Sequence, residues 1–259
     1  MTDLLQSARP FLAGGGRIDG LASGGLRLTI PAMPAGYADA QLDDTQGLPR
    51  DRFLWRPPLR LAVRARVDHP APLGTWGFGF WNDPFSVSLG LGGAARRTPC
   101  GPRAVWFFYA SPPNAFGFTS GPTCGWRAMT IDTPHIPAWV LTPTALGALA
   151  LAQLPALRGS VLGYALSRVT ASEAVLESGT EDVHEYVIEW EHASATFRVD
   201  GRPVLRAPHP PTAPLGFVAW IDNQFAVARP EAGLRFGVLP TPDSQALDIL
   251  SAEITLGAA

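Results

Sequence analysis

Two adjoining segments in the last third constrain this chain more than anything else in it. His184-Glu185-Tyr186-Val187-Ile188-Glu189-Trp190 sends His184, Tyr186, Ile188 and Trp190 to one side of an extended backbone and Glu185, Val187 and Glu189 to the other. Ala195-Thr196-Phe197-Arg198-Val199 alternates in the same way and runs into Asp200-Gly201, the strongest short-range hairpin signal. Aromatic and β-branched residues on a period of two suit a pleated, half-buried surface. This part of the chain therefore folds as antiparallel sheet.

Other segments follow the same rule. Arg60 to Val67 alternates strictly, with Leu61, Val63, Ala65 and Val67 facing inward. Residues 1–50 are punctuated by Gly and Pro, and Leu26–Ile30 is their one clear strand. Thr75 to Asn82 and Arg103 to Ala110 are aromatic on both faces, so both faces should be covered, and Gly77 and Gly79 permit close approach. Late strands are expected at 183–190, 195–200, 215–222 and 247–256. Thr142 is a fitting N-cap, with Pro143 at the first helical position before Leu146, Leu149, Leu151 and Leu154. Pro155 interrupts, and a second apolar segment runs through Leu157, Val161, Tyr164 and Leu166. Two short helices over 142–168, inserted into an all-β chain, could thus cover the aromatic strands.

The pattern H-x-Y-x-I-E-W, a turn, then F-x-V-D-G resembles the family-16 glycoside hydrolases (β-glucanase and laminarinase type), within the concanavalin A-like jelly-roll superfamily. Pro214 to Asn223 is similar to a late strand of that family and Leu247 to Ile254 to its closing strand. The resemblance covers roughly residues 55–255 with 142–168 set aside. It implies an antiparallel two-sheet jelly-roll β-sandwich occupying 1–259 as one domain. The family's catalytic acids lie on a single strand reading E-x-D-x-E or E-x-D-x-x-E. By chain order its counterpart here is Ala104 to Ser111, which contains no acid. The resemblance therefore implies the fold and transfers no catalytic residue.

Composition narrows the function further. A length of 259 residues with 46% hydrophobic content suits one sandwich, and 27 Gly with 26 Pro suit many turns. A net charge of −2 offers nothing to nucleic acid or an anionic membrane. All 20 basic residues are arginine, which excludes Schiff-base chemistry and a lysine general base. Cys100 and Cys124 flank one aromatic strand and could approach each other, though two free, partly buried thiols are the expectation. No apolar run reaches the length of a membrane span. Met1 to Leu5 lacks the basic and apolar regions of a secretory signal, so a cytoplasmic protein is expected.

Candidate chemistry sits at strand ends. Asn82-Asp83 ends one aromatic strand and Asp222-Asn223-Gln224 another. If both ends share an edge of the concave sheet, Asp83 and Asp222 can pair as carboxylates, which a retaining glycosidase needs about 5–5.5 Å apart. With Asn82 and Asn223 they could instead supply oxygens to calcium. Turn capping accounts for the same residues. Of the aromatic set Trp76, Phe78, Phe80, Trp81, Trp106, Phe108, Tyr109 and Trp220, about half must fill the core. Trp81 and Trp220, next to the polar strand ends, are expected on the ligand side. Glu189 either supports the ligand face or lies in solvent. The five histidines lack metal spacing, with His184 read as a strand residue bonded to backbone, and zinc is not expected. No serine sits in G-x-S-x-G, and the glycines at 14–16 and 90–93 lack the setting of a phosphate loop.

Three readings result. The preferred one is a non-catalytic protein, without an obligatory cofactor, that binds carbohydrate or an apolar small molecule through Trp81, Asn82, Trp220, Asp222 and Asn223. The second is a glycosidase-like enzyme with relocated carboxylates at Asp83 and Asp222, supported by Glu189. The third is an interaction module docking through the helical insertion.

Overall fold

Period-two alternation builds most of this molecule, a computed structural model that describes residues 2–84, 97, 100–116, 124–134, 155–177 and 179–257. The first strands are β1 (Thr2–Asp3), β2 (Arg9–Ala13), β3 (Arg17–Gly20), β4 (Leu26–Ile30), β5 (Asp39–Asp43) and β6 (Leu59–Val67). The aromatic strands β7 (Thr75–Trp81) and β8 (Ala104–Ala110) come next, then β9 (Ala115–Phe116), β10 (Gly125–Asp132) and β11 (Thr170–Val175). The C-terminal set is β12 (His184–Trp190), β13 (Ser194–Val199), β14 (Arg202–Pro208), β15 (Gly216–Asp222), β16 (Gln224–Arg229), β17 (Gly233–Val238) and β18 (Gln245–Leu256). Helices α1 (Leu4–Ser7) and α2 (Pro155–Ser167) complete the described elements, with one 3-10 turn at Arg50–Arg52.

One large sheet runs β14-β13-β12-β6-β18-β4-β3, with β1 added beside β18; the other runs β11-β10-β8-β7-β15-β5-β2. Every pairing within these two sheets is antiparallel. Neighbours distant in sequence, such as β6 beside β18 and β7 beside β15, give the crossing connections of a jelly roll. The protein is an all-β, two-sheet jelly-roll sandwich. A small third sheet, β17-β16-β9, extends from the ends of β8 and β15, and α2 packs beside it.

The core lies between the two large sheets. Leu61, Val63, Ala65 and Val67 of β6 and Tyr186, Ile188 and Trp190 of β12 meet Trp76, Phe78 and Phe80 of β7 and Val105 and Phe107 of β8 in one buried cluster. Phe107 meets Phe197 edge-on at 5.3 Å and Tyr186 at 5.1 Å, while Trp76 and Trp126 stack at 4.0 Å. Each such contact adds about 0.5–1.5 kcal/mol beyond area burial. The outer face of the first sheet carries a ladder of opposite charges, with Glu185 opposite Arg64 and Glu189 opposite Arg60. Asp248 there bridges Arg27 at 2.6 Å and Arg66 at 3.0 Å.

The late strands expected from the sequence are all present within a residue or two. The Asp200-Gly201 turn has φ of 49° and 75°, so both central residues are left-handed, as a tight hairpin requires. One expectation needs correction. Residues 1–50 hold β2, β3 and β5 besides β4. The second apolar segment is helical as expected, over Pro155–Ser167. The first expected helix, through Leu154, lies outside the described residues. The described helix α2 sits against β16 and β17.

Candidate functional site

Strand alternation sends half of the second sheet's side chains away from the core. On that second face, β7 offers only Thr75, Gly77, Gly79 and Trp81, whereas β8 offers Ala104, Trp106, Phe108 and Ala110. Register sets Trp106 opposite Gly79 and Trp220 opposite Gly77. A Cβ at Gly77 would lie 3.0 Å from Trp220 Cη2, and one at Gly79, whose φ is 147°, would lie 2.7 Å from Trp106 Cβ. The glycines thus leave the floor on which the two indoles lie. Trp106 is the centre of the strip, 5.9 Å from Trp81, 5.3 Å from Phe108 and 5.3 Å from Trp220. Trp81 and Trp106 are half-buried, whereas Trp220 is 7% exposed and donates from Nε1 to Thr75 Oγ1 at 3.0 Å.

Beside Trp220 the face turns acidic. Asp222 lies directly opposite Asp39, with Gln41 and Asp43 following along β5. Cross-strand partners hold their Cβ atoms about 4.5–5.5 Å apart. Asp222 Oδ1 accepts from Thr75 N at 3.2 Å, Thr75 Oγ1 at 2.8 Å and Gln224 N at 3.1 Å. Tyr37 donates its hydroxyl to Asp39 Oδ2 at 2.9 Å. Asp39 Oδ1 is buried with no hydrogen-bond partner, and Trp106 Nε1 on the same face shares that condition. No ion pair reaches either aspartate among the described residues.

Burial, followed by the charge of Asp222, pushes the Asp39 carboxyl far above the ordinary range. Burial pushes Asp222 up to about 6, against the pull of its Thr75 and Gln224 hydrogen bonds. Burial and the two carboxylates raise the Tyr37 hydroxyl as well. Asp43 differs: Thr45 N at 2.9 Å, Thr45 Oγ1 at 2.7 Å, Gln41 at 2.9 Å and Gln46 at 3.0 Å occupy its oxygens. On the opposite flank, Arg127 is 1% exposed and pairs with Glu173 at 2.7 Å, while its guanidinium also reaches Cys124 O at 2.7 Å.

The residues singled out by the sequence separate into three groups. Trp81, Trp220 and Asp222 share the second face. Asn82 and Asn223 are spent on backbone: Asn82 accepts from Arg103 N at 2.9 Å and donates to Gly101 O at 2.8 Å. Asn223 accepts from Ala38 N at 2.9 Å and donates to Gly36 O at 2.9 Å and Leu239 O at 2.7 Å. Asp83 and Asp222 are not neighbours. Asp222 lies opposite Thr75 and Gly216 opposite Trp81, so the two acids mark opposite ends of β7, about 20 Å apart at the rise of a strand. That antiparallel register dissolves both the expected carboxylate pair and the calcium set with Asn82 and Asn223. Asp83 instead pairs with Arg97.

Glu189 lies on the outer face of the other sheet, 3.4 Å from Arg198, and is solvated. His184 bonds the Asp200 side chain at 2.6 Å rather than backbone. Cys100 and Cys124 are both free, and they flank opposite ends of β8. Among the described residues no cluster of three or more metal-ligating His, Cys, Asp or Glu occurs, and no helix is long and apolar enough to cross a membrane.

Sequence reasoning missed Tyr37, Asp39, Gln41 and Arg127. A signal for β5 existed, because Ala38-Asp39-Ala40-Gln41-Leu42-Asp43 alternates small or apolar residues with polar ones. Its polar set faces the site rather than bulk water, which alternation alone does not reveal.

No family model matches this chain, and no curated protein matches it. Several solved structures are similar in outline. An endo-β-1,4-glucuronan lyase from the fungus Trichoderma reesei aligns over 95% of this chain and 90% of its own, at 11% identity and a TM-score of 0.49. A Crh5 transglycosylase in complex with NAG aligns over 98% and 80%, at 12% identity and 0.48. The Emp47p carbohydrate recognition domain aligns over 99% and 94%, at 10% identity and 0.47. Likeness at this level assigns neither a family nor an activity.

Proposed function

We propose that this protein binds a carbohydrate along the second face of its seven-stranded sheet and does not cleave it. The observation that carries the reading is the strip Trp81–Trp106–Phe108–Trp220 bordered by the polar row Tyr37, Gln41 and Asp222. A sugar ring has an apolar C–H face and a rim of hydroxyls, so flat indoles beside hydrogen-bonding groups complement it. A purely apolar ligand would desolvate that polar row without satisfying it. Binding without cleavage is supported by the β8 strand, whose outward positions carry no acid, and by Asp43 and Glu173, whose carboxylates are committed to neighbours.

The test is calorimetric titration with β-1,3- and β-1,4-linked glucose oligomers, alongside an assay for new reducing ends. Saturable binding without new ends is expected. A partly exposed indole that gives up roughly 80 Å² to a ligand contributes about 2 kcal/mol. Trp106→Ala should accordingly weaken binding by about thirtyfold. Absence of binding by every oligomer to the folded protein would end this reading.

A further inference from the structure

The Asp39–Asp222 pair is the least self-sufficient feature of the second face, and the carbohydrate reading does not by itself give it a role. The pair sits at the Trp220 end of the strip, with Asp39 3% and Asp222 8% exposed. The described groups that face it are few. Tyr37 donates to Asp39 from the segment before β5. Thr75 of β7 and Gln224 of β16 donate to Asp222 Oδ1. Ala13 of β2 lies opposite Asp39, and Asp43 is the next acid along β5 on that face. No guanidinium is paired with either carboxylate among the described residues, so none of those side chains compensates its two charges. Two oxygens are left over: Asp39 Oδ1 is buried without a partner, and Asp222 Oδ2 carries no hydrogen bond among the described residues.

We infer that Asp39 and Asp222 form a hydroxyl-binding subsite that holds one proton between them and selects a neutral sugar over an acidic one. The inference rests on the carbohydrate reading above. Two carboxylates on adjacent positions of a buried strand pair cannot both ionise without a counter-charge, so one proton stays. Asp39, the more deeply buried and lacking the amide donors that Asp222 has, keeps it. Asp222 is then the single anion, with Oδ2 as the acceptor offered to a ligand hydroxyl. A uronate ring in this position would set a second carboxylate against it, with no arginine paired to Asp222 among the described residues to offset the repulsion. Hydroxyls donated to a carboxylate bind more tightly than those donated to its protonated form. Affinity for a neutral sugar should therefore fall as Asp222 takes up its proton near pH 6.

The experiment measures binding of a β-1,4-linked glucose pentamer and its glucuronate counterpart from pH 5 to 8, for the wild type, Asp222→Asn and Asp39→Asn. Infrared difference spectra of the unliganded proteins record the protonated carboxyl stretch. The neutral pentamer should lose about tenfold in affinity as the pH falls through 6, and should bind at least tenfold more tightly than the glucuronate at pH 8. Asp222→Asn should flatten the profile. Asp39→Asn, which replaces a neutral carboxyl by a neutral amide, should remove the carboxyl stretch seen at pH 7.5.

A flat wild-type profile, a preference for the glucuronate, or no protonated carboxyl at pH 7.5 would each overturn the subsite while leaving carbohydrate binding intact. Stoichiometric calcium binding that is lost in Asp222→Asn would also overturn it, by showing that the pair holds a cation. Failure of both pentamers at every pH would overturn the carbohydrate reading and the subsite with it.

Discussion

Asp222 places a carboxylate where burial disfavours its charge, and that has a measurable consequence for stability. Its folded pKa, about 6, lies above the ordinary value of 3.8. The folded state therefore binds the proton more tightly than the unfolded state does. The stabilisation this gives is present in full below pH 4 and is lost as the pH rises through 6. Asp44 works in the same direction, raised by burial to about 6 despite its bonds from Trp55 and from Phe217 N. Asp248 works in the opposite direction: burial pushes it up, the Arg27 and Arg66 hydrogen bonds pull it lower still, and its contribution is lost as the pH falls. An Asp222→Asn protein keeps an Oδ1 acceptor for Thr75 and Gln224 and discards the buried charge. It should gain about 2 kcal/mol at pH 7.5 and nothing at pH 4, a difference read from melting temperatures at the two pH values.

At the level of elements, the aromatic strip exists because β7 is almost bare on its second face. Gly77 and Gly79 leave the space into which Trp220 and Trp106 lie, and neither ring could settle there over a side chain. Gly79→Ala would bring a methyl group within 2.6 Å of Trp106 Cα at a φ of 147°, which L residues rarely adopt. It should cost about 2 kcal/mol or more of stability by urea denaturation and change the near-ultraviolet dichroism of the tryptophans. Alternation made β6, β12 and β13 legible because each buries one face and wets the other. It failed for β5, whose Asp39, Gln41 and Asp43 look like a solvated row but face the site.

Across the whole molecule, the two sheets share one aromatic centre, so neither can loosen alone. Phe107 of the second sheet contacts Tyr186 and Phe197 of the first. Phe107→Ala should cost about 3–5 kcal/mol. The loss should appear in one unfolding transition seen equally by tryptophan fluorescence and far-ultraviolet dichroism, because both sheets lose the same contact. The charge ladder on the outer face of the first sheet works differently. Its pairs are largely exposed and individually weak, apart from Asp248, 1% exposed on its side chain between two arginines.

The sequence by itself determined the class of fold. Side-chain alternation is a local property, so His184–Trp190, Leu59–Val67 and the Asp200-Gly201 turn could be read without knowing what they pack against. It also determined that Ala104–Ala110 presents no acid, whatever that strand adjoins. Only the tertiary structure decided which polar residues meet. Antiparallel pairing of β7 with β15 moved Asp83 and Asp222 to opposite ends of one strand, and pairing of β15 with β5 set Asp39 against Asp222 across 183 positions of chain. Cross-strand register is fixed by how two hydrophobic faces close on each other, and no residue carries that information on its own.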